Sequence, residues 1–320
     1  MVVRIVSIRW VWTLAALTLL GLFAARAMGA ENLSSGQNIT VGLSMHFMRD
    51  DYAIRLAETV ETTIAEYRGS ETIVTDANAD PAKQLADMEN LVVRGVSAII
   101  VVPIDEKAIL PAIRKATEAN IPVVAITKIP GAEVLATVGA TGDYANGKAS
   151  GELLVQATGG HGKIAMIGIP YSLWRIDERE RGFYEAIEDS DLELVARQSG
   201  LDQARVQDLV AGILVAHPDL VGIWCTFSNQ VVGAADALRA AGRGDIALTG
   251  IDADQAIMER IRSGWVTGTA AQFPAVQGEL AAQAVIDHFE GGEVKADFEV
   301  PVLLVTADNL EEAQQRIWGE

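Results

Sequence analysis

One cysteine, Cys225, cannot close an internal disulfide, and four scattered histidines show none of the H-E-x-x-H type of spacing that a metal site needs. Positive charge is also scarce: 25 Lys+Arg stand against 43 Asp+Glu, a formal charge of −18. A nucleic-acid binder needs a basic stripe to displace counterions from phosphates, so that class is excluded. The sequence has no G-x-S-x-G, no Pro-rich or Gly/Ser-rich linker, no charge block and no short tandem repeat. Beyond residue 30 no apolar run reaches the ~20 residues needed to cross a bilayer. What is present is a chain of 320 residues, 50% apolar and 21% charged, which excludes disorder as its main state. At roughly 150 residues per domain it reads as a soluble, acidic, two-domain globule.

The first thirty residues read as an address. Arg4 and Arg9 precede an apolar run over 10–23, followed by Ala25-Arg26-Ala27, a small-x-small cleavage pattern. Together they describe a secretory signal peptide; fourteen apolar residues are too few for an anchor. Cleavage after Ala27, Gly29 or Ala30 fits, and no cysteine follows the run to carry a lipid. Removing residues 1–30 takes away three arginines and no acids, leaving −21. The mature protein is expected to be anionic and periplasmic.

Short β-rich runs recur at 39–45, 72–75, 98–102, 122–126, 135–138, 164–167, 192–196, 220–224, 247–251, 266–270 and 298–305. Most are separated by helical stripes, such as Tyr52, Leu56, Val60 and Ile64, or Leu85, Met88, Leu91 and Val92. Asp80-Pro81 opens one helix, Asp105 caps the next and Gly69 ends the first. The alternation predicts an α/β fold of two doubly wound lobes, because about ten strands are too many for one compact sheet of this length. Without a floppy linker, the chain should cross between lobes more than once. In such sheets ligands bind beyond the carboxyl ends of the strands. Ser44, His46 and Phe47 follow one strand; Thr127 and Lys128, Tyr171 to Arg179, Phe227-Ser228-Asn229, Asp252, and Gln272-Phe273-Pro274 follow others.

In this order the motifs resemble the ribose-binding-protein family of periplasmic solute receptors, whose fold is shared by the effector domain of lac-repressor-like regulators. The resemblance is carried by Asp80-Pro81-Ala82-Lys83-Gln84, Leu91-Val92-Val93-Arg94-Gly95-Val96, Ala119-Asn120-Ile121-Pro122-Val123-Val124 and Asp143-Tyr144 with Gly147-Lys148 and Gly151. Arg179-x-x-Gly182-Phe183, Ala216-His217-Pro218-Asp219, Gly250-Ile251-Asp252 and Gln272-Phe273-Pro274 complete it. It implies two lobes with parallel sheets, joined by a three-segment hinge near 140–142, 271–273 and 301–302. Residues 31–141 plus 273–301 would form the first lobe, and 142–272 plus 302–320 the second. A small sugar or polyol would be closed between them and delivered to an inner-membrane ABC permease by a monomer that needs no cofactor.

The resemblance places Arg179, Asp252 and Gln272 on the ligand. Arg179 offers a planar fork of donors, or else is a surface arginine of an amphipathic helix. Asp252 accepts from hydroxyls, or else caps the helix over 255–262, a role Asp254 is also placed to fill. Gln272 offers a donor and an acceptor, or else packs in the hinge. Ser44, His46, Phe47, Tyr171, Trp174 and Phe227 are candidate cleft liners, since aromatic faces cover sugar rings and hydroxyls bond their edges. Core packing claims Tyr52 and Trp224. Cys225 reads as a buried structural thiol, and Gly159-Gly160-His161-Gly162-Lys163 lacks the Ser/Thr and the following helix of a phosphate loop.

The chain also departs from the family. Thr127-Lys128 stands where its ribose and galactose receptors carry Asp-Arg, and Phe227-Ser228 where they carry Asn-Asp. Asn229 or Asp177 would have to replace those groups. Lys128 suits a carboxylate or a lone hydroxyl better than a bidentate sugar edge. Weak binding of D-ribose, and tighter binding of a shorter polyol, deoxy or acidic derivative, is therefore expected. Two other readings compete: a sensory subunit presenting the solute to a receptor kinase or chemoreceptor, and a secreted α/β enzyme. The sequence offers no activated nucleophile or acid–base pair for the latter.

Overall fold

The computed structural model describes residues 38–319, so the signal peptide expected over 1–30 lies outside the described residues. The first part of the chain forms β1 (Thr40–Met45), α1 (Asp51–Glu66), β2 (Glu71–Asp76), α2 (Pro81–Val93), β3 (Ala98–Val101), α3 (Leu110–Glu118), β4 (Val123–Ile126) and β5 (Ala136–Val138). The second forms α4 (Gly142–Thr158), β6 (His161–Gly168), α5 (Trp174–Ile187), β7 (Asp191–Ser199), α6 (Gln203–Ala216), β8 (Leu220–Cys225), α7 (Ser228–Ala241), β9 (Ala247–Ile251), α8 (Gln255–Arg262) and β10 (Gly268–Ala271). The last is α9 (Pro274–Phe289), β11 (Asp297–Phe298), β12 (Leu303–Thr306) and α10 (Leu310–Trp318).

Helix signals act through hydrogen bonds. The Asp80 carboxylate accepts from the N–H groups of Ala82 and Lys83 at 2.9 and 3.2 Å, with Pro81 pre-set in the first turn. Asp105 works one turn early: its carboxylate accepts from Lys107 and Ala108 at 2.8 and 2.9 Å, closing a turn that leads into α3. The stripe on α1 turns Leu56, Val60 and Ile64 fully inward. Strands buried on both faces read as continuous apolar runs, as in Ala98–Val101 and Val123–Ile126.

Two six-stranded sheets result, ordered β11-β5-β4-β3-β1-β2 and β12-β10-β9-β8-β6-β7. Apart from β11 and β12, each repeats the same winding, and its order reverses between β1 and β3 in one sheet and between β6 and β8 in the other. Apolar clusters cover both faces of both sheets, as a doubly wound fold requires. The chain passes between the sheets three times. It leaves the first after β5, returns after β10 so that α9 packs against α1 and the face of β4 and β5, with Ala281, Ala282 and Val285 in the shared core, and leaves again after β11. The run over 298–305, read from the sequence as one strand, is therefore two: β11 is parallel to β5, and β12 is antiparallel to β10. Pro301, which has no N–H to donate, lies in the break between them.

Candidate ligand-binding site

The crevices at the two order reversals face each other across a cavity of about 560 Å³, within the ~300–1,000 Å³ of small-ligand sites. It is lined from the first sheet by His46, Phe47, Asp50, Tyr52 and Thr127. From the second come Asn146, Tyr171, Arg175, Arg179, Phe227, Asn229, Asp252, Asp254 and Gln272, and Gln277 reaches in from α9.

Arg179 sits on α5 and is 6% exposed. Its Nε donates to Asp143 Oδ1 at 2.8 Å and its Nη1 to the Thr226 carbonyl at 2.9 Å. Asp143, 6% exposed in the first turn of α4, also accepts from the Thr127 hydroxyl at 2.7 Å, tying the end of β4 to this pair. Glycines set the distance. A Cβ on Gly147 would lie 1.9 Å from the Arg179 carbonyl oxygen, and one on Gly182 would lie 2.2 Å from that of Tyr144. Only bare backbone lets α4 and α5 approach closely enough to pair Asp143 with Arg179.

Asp252 ends β9 in the left-handed region, φ +81°, and Thr127 ends β4 at +75°. Both positions are strained for side-chain-bearing residues, and both line the cavity, where such strain concentrates. The Asp252 carboxylate accepts from Gln272 Nε2 at 2.7 Å and from the Ser228 N–H at 2.9 Å. The N-cap position of α8 belongs to Asp254, which leaves Asp252 to the cavity. Asp254 instead accepts from the Ser228 hydroxyl. Burial and then the neighbouring Asp252 push the Asp254 carboxyl up to about 7. Asp50, the N-cap of α1, is raised to about 6, by burial first and also by Asp252, against the pull of its Ala53 hydrogen bond and of Arg49.

His46 is 7% exposed, its ring tilted against that of Phe47 with centroids 4.0 Å apart; burial, then Arg175 and Arg179, lower it to about 3, so it is neutral. Its Nδ1 has no partner, nor do Asn146 Oδ1 and Gln277 Oε1, which also belong to cavity-lining side chains. Buried polar atoms are rarely left unpaired, and three around one cavity mark where a polar ligand would bond. Phe47, Tyr52, Tyr171 and Phe227 supply aromatic faces.

The cavity thus gathers Arg179, Asp252, Gln272, Thr127, Phe227, Phe47, Tyr171 and His46, and leaves out three expected liners. Lys128 is exposed, its compact charge kept in water. Ser44 is fully buried beneath the strand end and accepts from Gln84 on α2 at 3.4 Å. Trp174 does not line the cavity; its backbone N–H donates to Glu106 at 3.1 Å. Tyr52 corrects the reading in the other direction, lining the cavity where core packing was expected, whereas Trp224 is fully buried and stacks at 4.4 Å on Phe183. Asn229 lines the cavity; Asp177 is exposed and bonded to Ser172. Lys128, the group that suggested an acidic derivative, thus lies outside the cavity, whose lining holds Arg49, Arg175 and Arg179 as well as Asp50, Asp252 and Asp254.

Sequence reasoning also missed Glu106, 2% exposed, whose carboxylate accepts from Trp174 N and Arg175 N at 3.1 and 3.5 Å. The N-cap residue of α5, Leu173, has no side-chain oxygen, so this cap comes from the opposite sheet. Arg175 reciprocates, its guanidinium donating to the Pro103 carbonyl. Asp143 could have been found, since an inward-facing arginine needs a carboxylate. Asn146 and Gln277 sit in helical runs with nothing local to set them apart.

The family model of the periplasmic binding protein domain matches residues 41–293. The chain belongs to this family. The ribose import binding protein of Bacillus subtilis (strain 168) is 28% identical over 305 residues, 95% of this chain and 99% of the relative. A solute binding protein of an ABC transporter from Bacillus halodurans C-125, with bound myo-inositol, is 25% identical with a TM-score of 0.82, over 88% of this chain and 99% of its own. One from Agrobacterium vitis, with bound D-fucose, is 25% identical with a TM-score of 0.81, over 87% and 100%.

Proposed function

We propose that the protein is a periplasmic solute receptor that closes two lobes on a small sugar or polyol and hands it to an inner-membrane ABC importer. The observation that carries this reading is the cavity between the two order reversals, ringed by aromatic faces and by buried polar atoms without partners. The relatives support the class: one is a ribose import binding protein, and two solved structures hold myo-inositol and D-fucose. The lobes are residues 31–141 plus 273–301 and 142–272 plus 302–320, and residues 1–30 are removed on export. The receptor works as a monomeric carrier, without a cofactor and without covalent chemistry.

Closure follows from differential contact. Arg179, Asp252 and Asn146 belong to one lobe, His46 and Phe47 to the other, and only the closed form presents all of them to one solute. Thr127 and Phe227, in place of a carboxylate and an amide, turn specificity away from unmodified ribose. A thermal-shift screen of pentoses, hexoses, inositols and linear polyols tests the reading. A solute at 100 times its Kd adds about 2.7 kcal/mol of stability. A raised melting temperature for at least one of them is expected; no shift with any contradicts the proposal.

A further inference from the structure

The charge in the cavity does not balance. Of its three cations, Arg179 is paired with Asp143, Arg175 is held by the Pro103 carbonyl and faces Glu106, and Arg49 is exposed over the Phe47 ring. Four carboxylates remain outside any ion pair among the described residues: Asp202, which accepts from the Arg205 N–H as a helix cap, and Asp50, Asp252 and Asp254, of which Asp252 also lies in the field of Arg179. They come from two sides. Asp50 caps α1 in the first lobe, while Asp252 and Asp254 are held together by the N–H and hydroxyl of Ser228 in the second. The two sides meet where the Gln255 N–H reaches the Asp51 carboxylate at 3.5 Å. Closing the lobes therefore brings like charges together, a cost that a neutral solute does not relieve.

A second observation concerns hydrogen bonding. Asn146 Oδ1 and Gln277 Oε1, in side chains 5% and 7% exposed, are acceptors with no donor. Together with the carboxylates they are acceptors that a donor on the solute can satisfy. Among the described residues no three His, Cys, Asp or Glu side chains are grouped as a metal site. An ammonium group offers three donors, no acceptor and a positive charge.

Resting on the receptor reading above, we propose that the solute is an amino sugar or aminopolyol whose protonated amine sits between Asp50 of one lobe and Asp252 and Asp254 of the other. Its hydroxyls lie against Asn146, Gln277 and His46, and its carbon face against Phe47 and Phe227. The amine is what makes closure favourable, because it lies between carboxylates that otherwise repel. A chain carrying −18 also steers a cationic solute towards itself.

Titration calorimetry at pH 7.5 with matched pairs tests this: 1-amino-1-deoxy-D-sorbitol against D-sorbitol, D-glucosamine against D-glucose, and an aminodeoxyinositol against myo-inositol. The amine of at least one pair should bind tenfold or more tighter than its neutral partner. That ratio should shrink in both Asp50→Asn and Asp254→Asn, substitutions that keep side-chain shape and relieve repulsion. Neutral partners that bind as well as or better than their amines overturn the inference and leave the receptor reading intact. Heat from no member of any pair also overturns it, and the receptor reading then rests on the wider thermal-shift screen.

Discussion

Asp254 and His46 are both held away from their ordinary protonation, in opposite senses. A carboxyl raised to about 7 binds its proton more tightly folded than unfolded, so its contribution to stability is lost as pH rises towards and through 7. A histidine lowered to about 3 must shed its proton to fold, so stability is lost as pH falls below 6.5. The two oppose each other below 6.5 and separate above it. Between pH 6.5 and 8 the ligand-free melting temperature should fall, and Asp254→Asn should flatten that slope. Parallel curves for variant and wild type, from thermal melts in matched buffers, would remove Asp254 as the source. At this scale the sequence was legible at strand ends: Arg179, Asp252 and Gln272 reach one cavity because each follows a strand of the same sheet. It was illegible at the exact end of a strand: Ser44 lies inside β1 and is fully buried, whereas His46, just past its last residue, lines the cavity.

At the scale of elements, glycine separates packing from propensity. Gly147 and Gly212 both lie inside helices, where alanine is preferred by roughly 0.5–1 kcal/mol. At Gly212 a Cβ meets nothing within 4 Å, so Gly212→Ala should stabilise by about that amount. At Gly147 it would strike the Arg179 backbone, which cannot move aside as a flexible side chain can. Overpacking costs ~1–3 kcal/mol, which outweighs the propensity gain, so Gly147→Ala should destabilise and disturb the Asp143–Arg179 pair. Urea unfolding of the two variants decides it; equal and favourable effects would refute the close α4–α5 approach. Periodicity located the strands and helices because most are buried on a regular face. It misjudged the run over 298–305 because both halves are apolar and extended, and only the hinge assigns them to different sheets.

For the whole molecule, closure is set by groups that cross the cleft. Glu106 caps α5 from the opposite sheet, and Arg175 answers it at Pro103. Losing a cap costs ~1 kcal/mol, several-fold in an equilibrium constant. Glu106→Ala should therefore weaken solute affinity several-fold and enlarge the solute-bound form in small-angle scattering, although Glu106 does not line the cavity. An unchanged affinity would mean that this contact adds nothing to closure. Such pairs join residues 68 or more positions apart, which no local pattern in a sequence reveals.

The receptor reading requires that one small polyhydroxy solute bind between the two sheets on Asp252. Titration calorimetry of the wild type and Asp252→Ala, with the tightest solute from the thermal screen, tests it most directly. One solute per chain at micromolar affinity or tighter, weakened a hundredfold or more in Asp252→Ala while its fold is retained by circular dichroism, is the predicted result. A variant that binds as tightly as the wild type would contradict it.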